Sequence, residues 1–230
     1  MGSGFRMSDR DHLYVVGATE PSRADIVALY NQRVDHHCQA WIGRGEAPGQ
    51  NNRGIDIREL HDISGVGRRD KHGNPKWGSW CGVGSSAMCV LATGTRDKRF
   101  VPFVPHRGAI RFVKNVGKAG SFIVKPRRWM PGTRFKGELD PELMEHALAI
   151  AWMRFGSWTG AGHVALRPRY NPVTDEMTFW NPNVSPPVAT RNELNDRYDL
   201  NLIRGQAVCH YRTLPGSKWR KSLSCVATLL

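Results

Sequence analysis

The sequence holds no apolar run long enough to span a bilayer. A membrane helix needs about 20 predominantly apolar residues, and the longest run here, Ala147–Met153, has seven. There is no Cys-x-x-Cys pair, which removes the common structural zinc arrangements. No internal repeat, low-complexity tract or linker divides the 230 residues. The first residues lack the apolar core of a secretory signal. An integral membrane protein, a collagen-like chain and a low-complexity tail are thereby excluded. Residues 1–20 read as an N-terminal tail and 21–230 as a single domain. A chain of this length buries about 70% of the surface its unfolded form exposes, enough for a core without disulfide staples.

What the chain has in excess is positive charge. Thirty-three Lys and Arg against 20 Asp and Glu leave +13, with a pI near 10.0. The expected partners are polyanions: nucleic acid or an anionic cell envelope. The basic residues are spread in short groups such as Arg68-Arg69 and Arg127-Arg128, so no basic arm is expected. Five cysteines, Cys38, Cys81, Cys89, Cys209 and Cys225, form an odd set without repeated spacing. At least one thiol is therefore expected to be free.

Helical signals dominate the first half. Ser22, with Asp25 three residues on, is a capping box opening a helix whose apolar stripe is Ile26, Tyr30, Val34, Cys38 and Trp41. A Gly/Asn loop over 46–54 leads to a short helix with Ile57, Leu60 and Ile63, stopped by Gly65, and residues 66–79 read as a surface loop. Trp80 to Thr93 is a small-residue helix closed by Gly94, and His106 to Lys118 carries a further helical pattern. Ala147–Met153 fits a buried strand or a continuation of the helix begun at Glu142. Strand signals follow at 162–167, 176–180 and 206–212, with a hairpin turn over Asn171 to Asp175. Helices first and antiparallel strands later predict an α+β fold.

Cys81 stands at the first turn of the small-residue helix, where free backbone N–H groups and the positive end of the dipole favour a thiolate. The residues alone leave it either a reactive thiol or a buried structural one. Cys38, Cys89 and Cys209 fall where no such stabilisation exists and read as core. A cysteine nucleophile needs an imidazole, and the imidazole an orienting group. His163 opens an apolar strand after Gly160-Ala161-Gly162, and Asn181 and Asn183 end the next strand, so a hairpin puts His163 and Asn181 at one end. A satisfied structural histidine and a turn asparagine are the competing readings. Asp35-His36-His37-Cys38 spells the palmitoyl-transferase string, but those enzymes need membrane helices and the string is read as chance.

Taken in order, these segments resemble a family. Trp80-Cys81-Gly82-Val83-Gly84 resembles the W-C-x-x-F segment around the nucleophile of CHAP-type, NlpC-related cysteine amidohydrolases and peptidases. Gly162-His163-Val164-Ala165-Leu166 resembles their G-H-V-G-I strand, and Asn181-Pro182-Asn183 stands where they carry E-x-N. Glu46 to Gly54, with Asn52, resembles their E-x-x-G-x-N-x-G lead-in, and the segment from Arg107 to Gly120 a helix they carry after the nucleophile helix. The resemblance covers Glu46 to Val184. Three positions depart from it: Gly84 replaces the aromatic, Glu145-His146 stands where G-D is usual, and Asn181 replaces the acid.

The resemblance implies a papain-like α+β catalytic domain with N-terminal helices packed on a small antiparallel sheet. It makes Ala147–Met153 a strand, with Glu142 to His146 a short turn before it. It implies hydrolysis of a peptidoglycan amide bond as in a phage endolysin or an effector: Cys81 as nucleophile, His163 as proton carrier, Asn181 as the ring's support. Asn183, Asn52 and Trp80 are then binding or supporting residues. No metal or organic cofactor is expected, and the chain is expected to be a monomer that is made in the cytoplasm or carried by a phage particle and acts in the bacterial envelope. The alternative is a non-catalytic basic protein, structural or nucleic-acid-binding, that keeps the same fold.

Overall fold

The computed structural model describes residues 21–66, 80–97, 122–124, 139–153 and 162–228. The expected tail at 1–20, most of the expected loop at 66–79, and the expected helix at His106 to Lys118 lie outside the described residues. Helices α1 (Arg23–Ala40), α2 (Ile55–Ser64) and α3 (Cys81–Thr93) come first, then strand β1 (Phe122–Val124). The chain continues through α4 (Pro141–Glu145), β2 (Ala147–Met153), β3 (Gly162–Asn171), β4 (Glu176–Val184), α5 (Val188–Tyr198), β5 (Val208–Pro215), α6 (Gly216–Ser222) and β6 (Leu223–Thr228). The architecture is α+β: one antiparallel six-stranded sheet in the order β1-β6-β2-β3-β4-β5, with helices against it.

The helix starts follow their local chemistry. The Asp25 amide donates to Ser22 Oγ at 3.2 Å while the Ser22 amide donates to Asp25 Oδ2 at 2.9 Å, which closes the capping box. Gly65 and Gly94 end α2 and α3 in the left-handed conformation, at φ 64 and φ 67. The apolar stripe of α1 is offset from the expected one. Val27, Asn31, Val34 and Cys38 are buried, whereas Ile26 is 57% exposed. Asn31 is drawn inward because its side-chain amide donates to the His146 carbonyl at 3.2 Å.

Two apolar layers enclose the middle of the sheet. On one face Val34 and Cys38 of α1, Leu60 of α2 and Met88 of α3 meet Leu166 and Trp180. On the other, Met144 and Trp219, from α4 and α6, cover Ile150, Ala165, Met177 and Phe179. Each fully buried Leu, Ile or Phe contributes roughly 1.5–3 kcal/mol. Coverage on both faces explains why Ala147–Met153 reads as an unbroken apolar run with no alternation. The turn expected over Glu142 to His146 is instead the one-turn helix α4, capped by Asp140, whose side chain accepts from the Glu142 amide at 3.0 Å.

A bulge interrupts the β3–β4 hairpin. Leu166 pairs with Trp180, yet Arg169 pairs with Thr178, so Arg167 and Pro168 together face Phe179. Arg167 takes the left-handed conformation, φ 51, and its guanidinium meets Asp35 of α1 at 3.0 Å and the Ala147 carbonyl at 2.7 Å. Asp35, the first residue of the Asp-His-His-Cys string, is thus a structural ion-pair partner. Cys38, its last residue, is fully buried core.

Candidate active site

The site lies where the first turn of α3 meets the ends of β3 and β4. Its helix can come that close because Cys81-Gly82-Val83-Gly84-Ser85-Ser86-Ala87 is small and buried throughout. Gly84 has a packing reason to be glycine. A Cβ placed on it would sit 3.0 Å from Pro182 Cβ and 3.5 Å from Trp80 Cε3. Pro182 and Trp80 therefore crowd the side of the helix where a side chain at 84 would project.

Cys81 is the first residue of α3 and is 7% exposed. Trp80, at the N-cap, offers no side-chain cap bond, so the amides of this first turn are not consumed by a capping side chain. The Cys81 sulfur lies 4.0 Å from the Gly162 carbonyl, beside the start of β3. His163 follows directly; its ring is hydrogen-bonded to Asn181, and Cys81 lies close enough to raise its pKa. The Asn181 bond is made by His163 Nε2 and Asn181 Oδ1. An amide oxygen only accepts, so Nε2 carries the proton there, and Nδ1 is left to face the thiol. Asn181 is 1% exposed. Counted outward from the Leu166–Trp180 pair, Asn181 stands opposite Ala165, so His163 reaches it on the diagonal.

The electrostatics of His163 are a balance. Partial burial pushes its pKa down, but the bonds to Cys81 and Asn181 and the field of Cys81 outweigh this, and it stands above its ordinary 6.5 despite the opposing charge of Arg212. The other described thiols behave differently. Burial drives Cys38 and Cys209 well above the usual thiol range and Cys89 up to about 12. Those three are inert core groups. The backbone of Cys225 belongs to β6.

The three expected supporting residues have separate fates. Trp80 is fully buried, which removes it as a substrate contact; its indole N–H donates to Glu46 Oε1 at 3.4 Å. Asn52 reaches the same carboxylate through its backbone, the amide donating to Glu46 Oε1 at 2.7 Å, while its side chain bonds Asn51. Glu46, itself buried, accepts the Ala207 amide at 3.1 Å on its second oxygen. One carboxylate thus ties the loop before α2, the approach to β5 and the cap of α3 together. Asn183 has left-handed backbone, φ 62, at a second bulge where β4 slips against β5 between Asn181 and Val184. Strict alternation ends there, so residues 181 and 183 do not share one strand geometry.

The sequence reading missed three neighbours. Trp152 pairs with His163 across β2–β3 and lies over the imidazole, ring centroids 5.5 Å apart, while touching Phe179 at 4.9 Å. His210 pairs with Asn181 across β4–β5 and is 1% exposed. Burial lowers its pKa to about 4, only partly offset by the Val208 backbone, so it is neutral, and neither ring nitrogen has a well-formed hydrogen bond. Arg212 pairs with Phe179 in the same row. The pairing of the 206–212 strand with the 176–180 strand was the signal that would have found the last two.

Among the described residues, no group of three or more His, Cys, Asp or Glu is arranged to hold a metal ion. Among them, too, no helix is long and apolar enough to cross a membrane. The chemistry the arrangement permits is nucleophilic attack by a thiol with an oriented imidazole as proton carrier. Comparisons of the chain with protein-family models, curated proteins and solved structures found no match.

Proposed function

We propose that this chain is a papain-like cysteine hydrolase that cleaves an amide bond of cell-wall peptidoglycan. The observation that carries the reading is the continuous relay from Cys81 through His163 to Asn181, with the thiol at the start of a helix and the imidazole on a strand. Cys81 Sγ attacks the carbonyl carbon while its proton resides on His163. The tetrahedral oxyanion is met by the Cys81 amide, and collapse expels the amine, which takes the proton from His163. Water then attacks the thioester, His163 accepts its proton, and the carboxylic acid leaves with Cys81 restored. Asn181 keeps the ring in the tautomer that presents Nδ1 to sulfur. Being neutral, it gives orientation without the charge stabilisation an acid would add.

The choice of peptidoglycan rests on the ordered resemblance over Glu46 to Val184 and on the +13 charge, which favours an anionic envelope. The alternative is a basic binding protein that stacks nucleobases on its tryptophans. Against it, Trp41, Trp80, Trp180 and Trp219 are buried in the core, and Trp152 lies against His163. The test is incubation of purified protein with peptidoglycan and mass analysis of the released fragments, with Cys81→Ala alongside. New amine and carboxyl ends produced only by the parent support the reading. No fragments, together with salt-sensitive retention of nucleic acid, would replace it by the alternative.

A further inference from the structure

One face of the sheet carries a row of side chains running outward from the imidazole. Trp152 is paired with His163, Asn181 with His210, and Phe179 with Arg212. Directly opposed residues on paired strands share a face, and diagonal neighbours lie about 7–8 Å apart, within the reach of long side chains. Arg212 is therefore a diagonal neighbour of Asn181, on the face from which Asn181 holds His163.

Some of the other described arginines hold carboxylates. Arg44 pairs with Asp56 and Glu59, Arg167 and Arg169 with Asp35, and Arg220 with Asp175. Arg212 makes no ion pair and no hydrogen bond with any described residue, and it is half-buried. The hairpin carboxylates Asp175 and Glu176 stand at the far end of β4 from Asn181, the first of them taken by Arg220. Arg212 faces Phe179 across the strands, its neighbour toward the site on the same strand is His210, held neutral, and its charge opposes the protonation of His163. A partly desolvated guanidinium with no counterion among the described residues is costly on its own. Its field also works against the imidazolium that the reaction needs. Both penalties vanish when an anion from outside sits on the guanidinium.

The geometry points to Arg212 as the anchor of a carboxylate subsite: the substrate is an acidic peptide whose free carboxylate lies near the scissile amide and docks on Arg212, two diagonal steps from His163 in the same row. This deepens the hydrolase reading and rests on it for the identity of the reacting bond. A guanidinium matches a carboxylate through two parallel N–H donors, which a carboxamide does not reproduce.

The experiment has two arms. The first needs no substrate: the rate of Cys81 alkylation by iodoacetate relative to iodoacetamide, followed by mass spectrometry at fixed pH. Both reagents meet the same Cys81 and His163, so a fall of severalfold in the ratio in Arg212→Gln, partly restored in Arg212→Lys, reports the subsite. An unchanged ratio overturns it. The second arm compares kcat/KM for a wall peptide with a free carboxylate next to the scissile amide and for its carboxamide twin. A preference of about tenfold or more for the acid is expected in the parent, expressed mainly in KM and lost in Arg212→Gln. Equal rates for the twins, or a preference that survives the substitution, overturn the subsite. If the parent cleaves neither peptide while the alkylation ratio still depends on Arg212, the hydrolase reading fails and the anion subsite stands.

Discussion

Gly84→Ala separates stability from catalysis at this site. By helix propensity alone the change should stabilise α3 by about 1 kcal/mol. The new methyl, however, would lie 3.0 Å from Pro182 Cβ, where comfortable carbon contacts begin near 3.5–4.0 Å, and it would touch Trp80 at 3.5 and 3.6 Å. Overpacking of this kind costs about 1–3 kcal/mol. A proline ring cannot rotate its Cβ out of the way, and Trp80 is fully buried. Relief therefore comes from β4 backing off by roughly 0.5 Å, the gap between the imposed contact and an ordinary one. That movement carries Asn181, the residue preceding Pro182, away from its place under His163. Since misplacement of a catalytic group by about 1 Å can cost 100-fold, half of that should cost roughly tenfold in turnover. Net stability should fall by no more than about 2 kcal/mol, the propensity gain offsetting part of the overpacking. Urea unfolding read beside kcat, and beside the Cys81 alkylation rate, provides the assay. A variant as active as the parent and more stable would refute the claim that the Gly84–Pro182 contact sets the distance between helix and relay.

Three further outcomes follow from the site. Cys81→Ala should abolish turnover with less than about 1 kcal/mol change in stability, and limited alkylation of the parent should label Cys81 first, because Cys38, Cys89 and Cys209 are buried with raised pKa values; modification of any of those three at an equal rate would contradict this. Asn181→Ala should lower kcat at least tenfold and move the alkaline limb of the pH profile downward, since the Asn181 bond raises the His163 pKa. Asn183→Gly should leave that limb in place and, because φ is 62, cost no backbone strain; the reverse order would transfer the supporting role to Asn183. Stability should fall as pH drops from 6.5 toward 4, because the unfolded chain protonates His210 first; the full window corresponds to about 3 kcal/mol. His163 acts with the opposite sign, its contribution complete below 6.5 and lost as pH rises through its raised value. Urea titrations of the parent and His210→Gln at stepped pH measure the acid side, and an unaltered slope in the variant would assign it elsewhere.

Local chemistry made much of this legible in the sequence. The capping box, the glycine stops of α2 and α3, the position of Cys81 and the hairpin turn at Asn171 to Asp175 all depend on neighbours a few residues apart. The helices α5 and α6 and the strand β6 were not anticipated. Helix α5 has no apolar face to betray it, burying only Leu194, and β6 is recognisable as a strand only beside β2. Register was the other gap. A left-handed arginine at 167 shifts β3 against β4, and no rule of alternation foresees it, because the ion pair that holds it comes from α1. The offset stripe of α1 has the same origin: Asn31 faces inward to satisfy a carbonyl 115 residues away.

The order of the strands in the sheet carries a consequence for how the chain is made. Strands β2, β3, β4 and β5 neighbour one another in chain order, but β2's other edge is filled by β6, which is synthesised some 70 residues after it. Until the ribosome has passed Thr228 and the segment has cleared it, Ala147–Met153 presents a row of unpaired backbone groups on one of the most apolar strands in the molecule. An exposed edge of that composition is a template for pairing with another nascent chain. Expression yield should therefore respond to temperature and synthesis rate more than native stability would suggest. A pool of misassembled protein should accumulate when β6 is delayed or weakened, even though β6 supplies none of Cys81, His163 or Asn181.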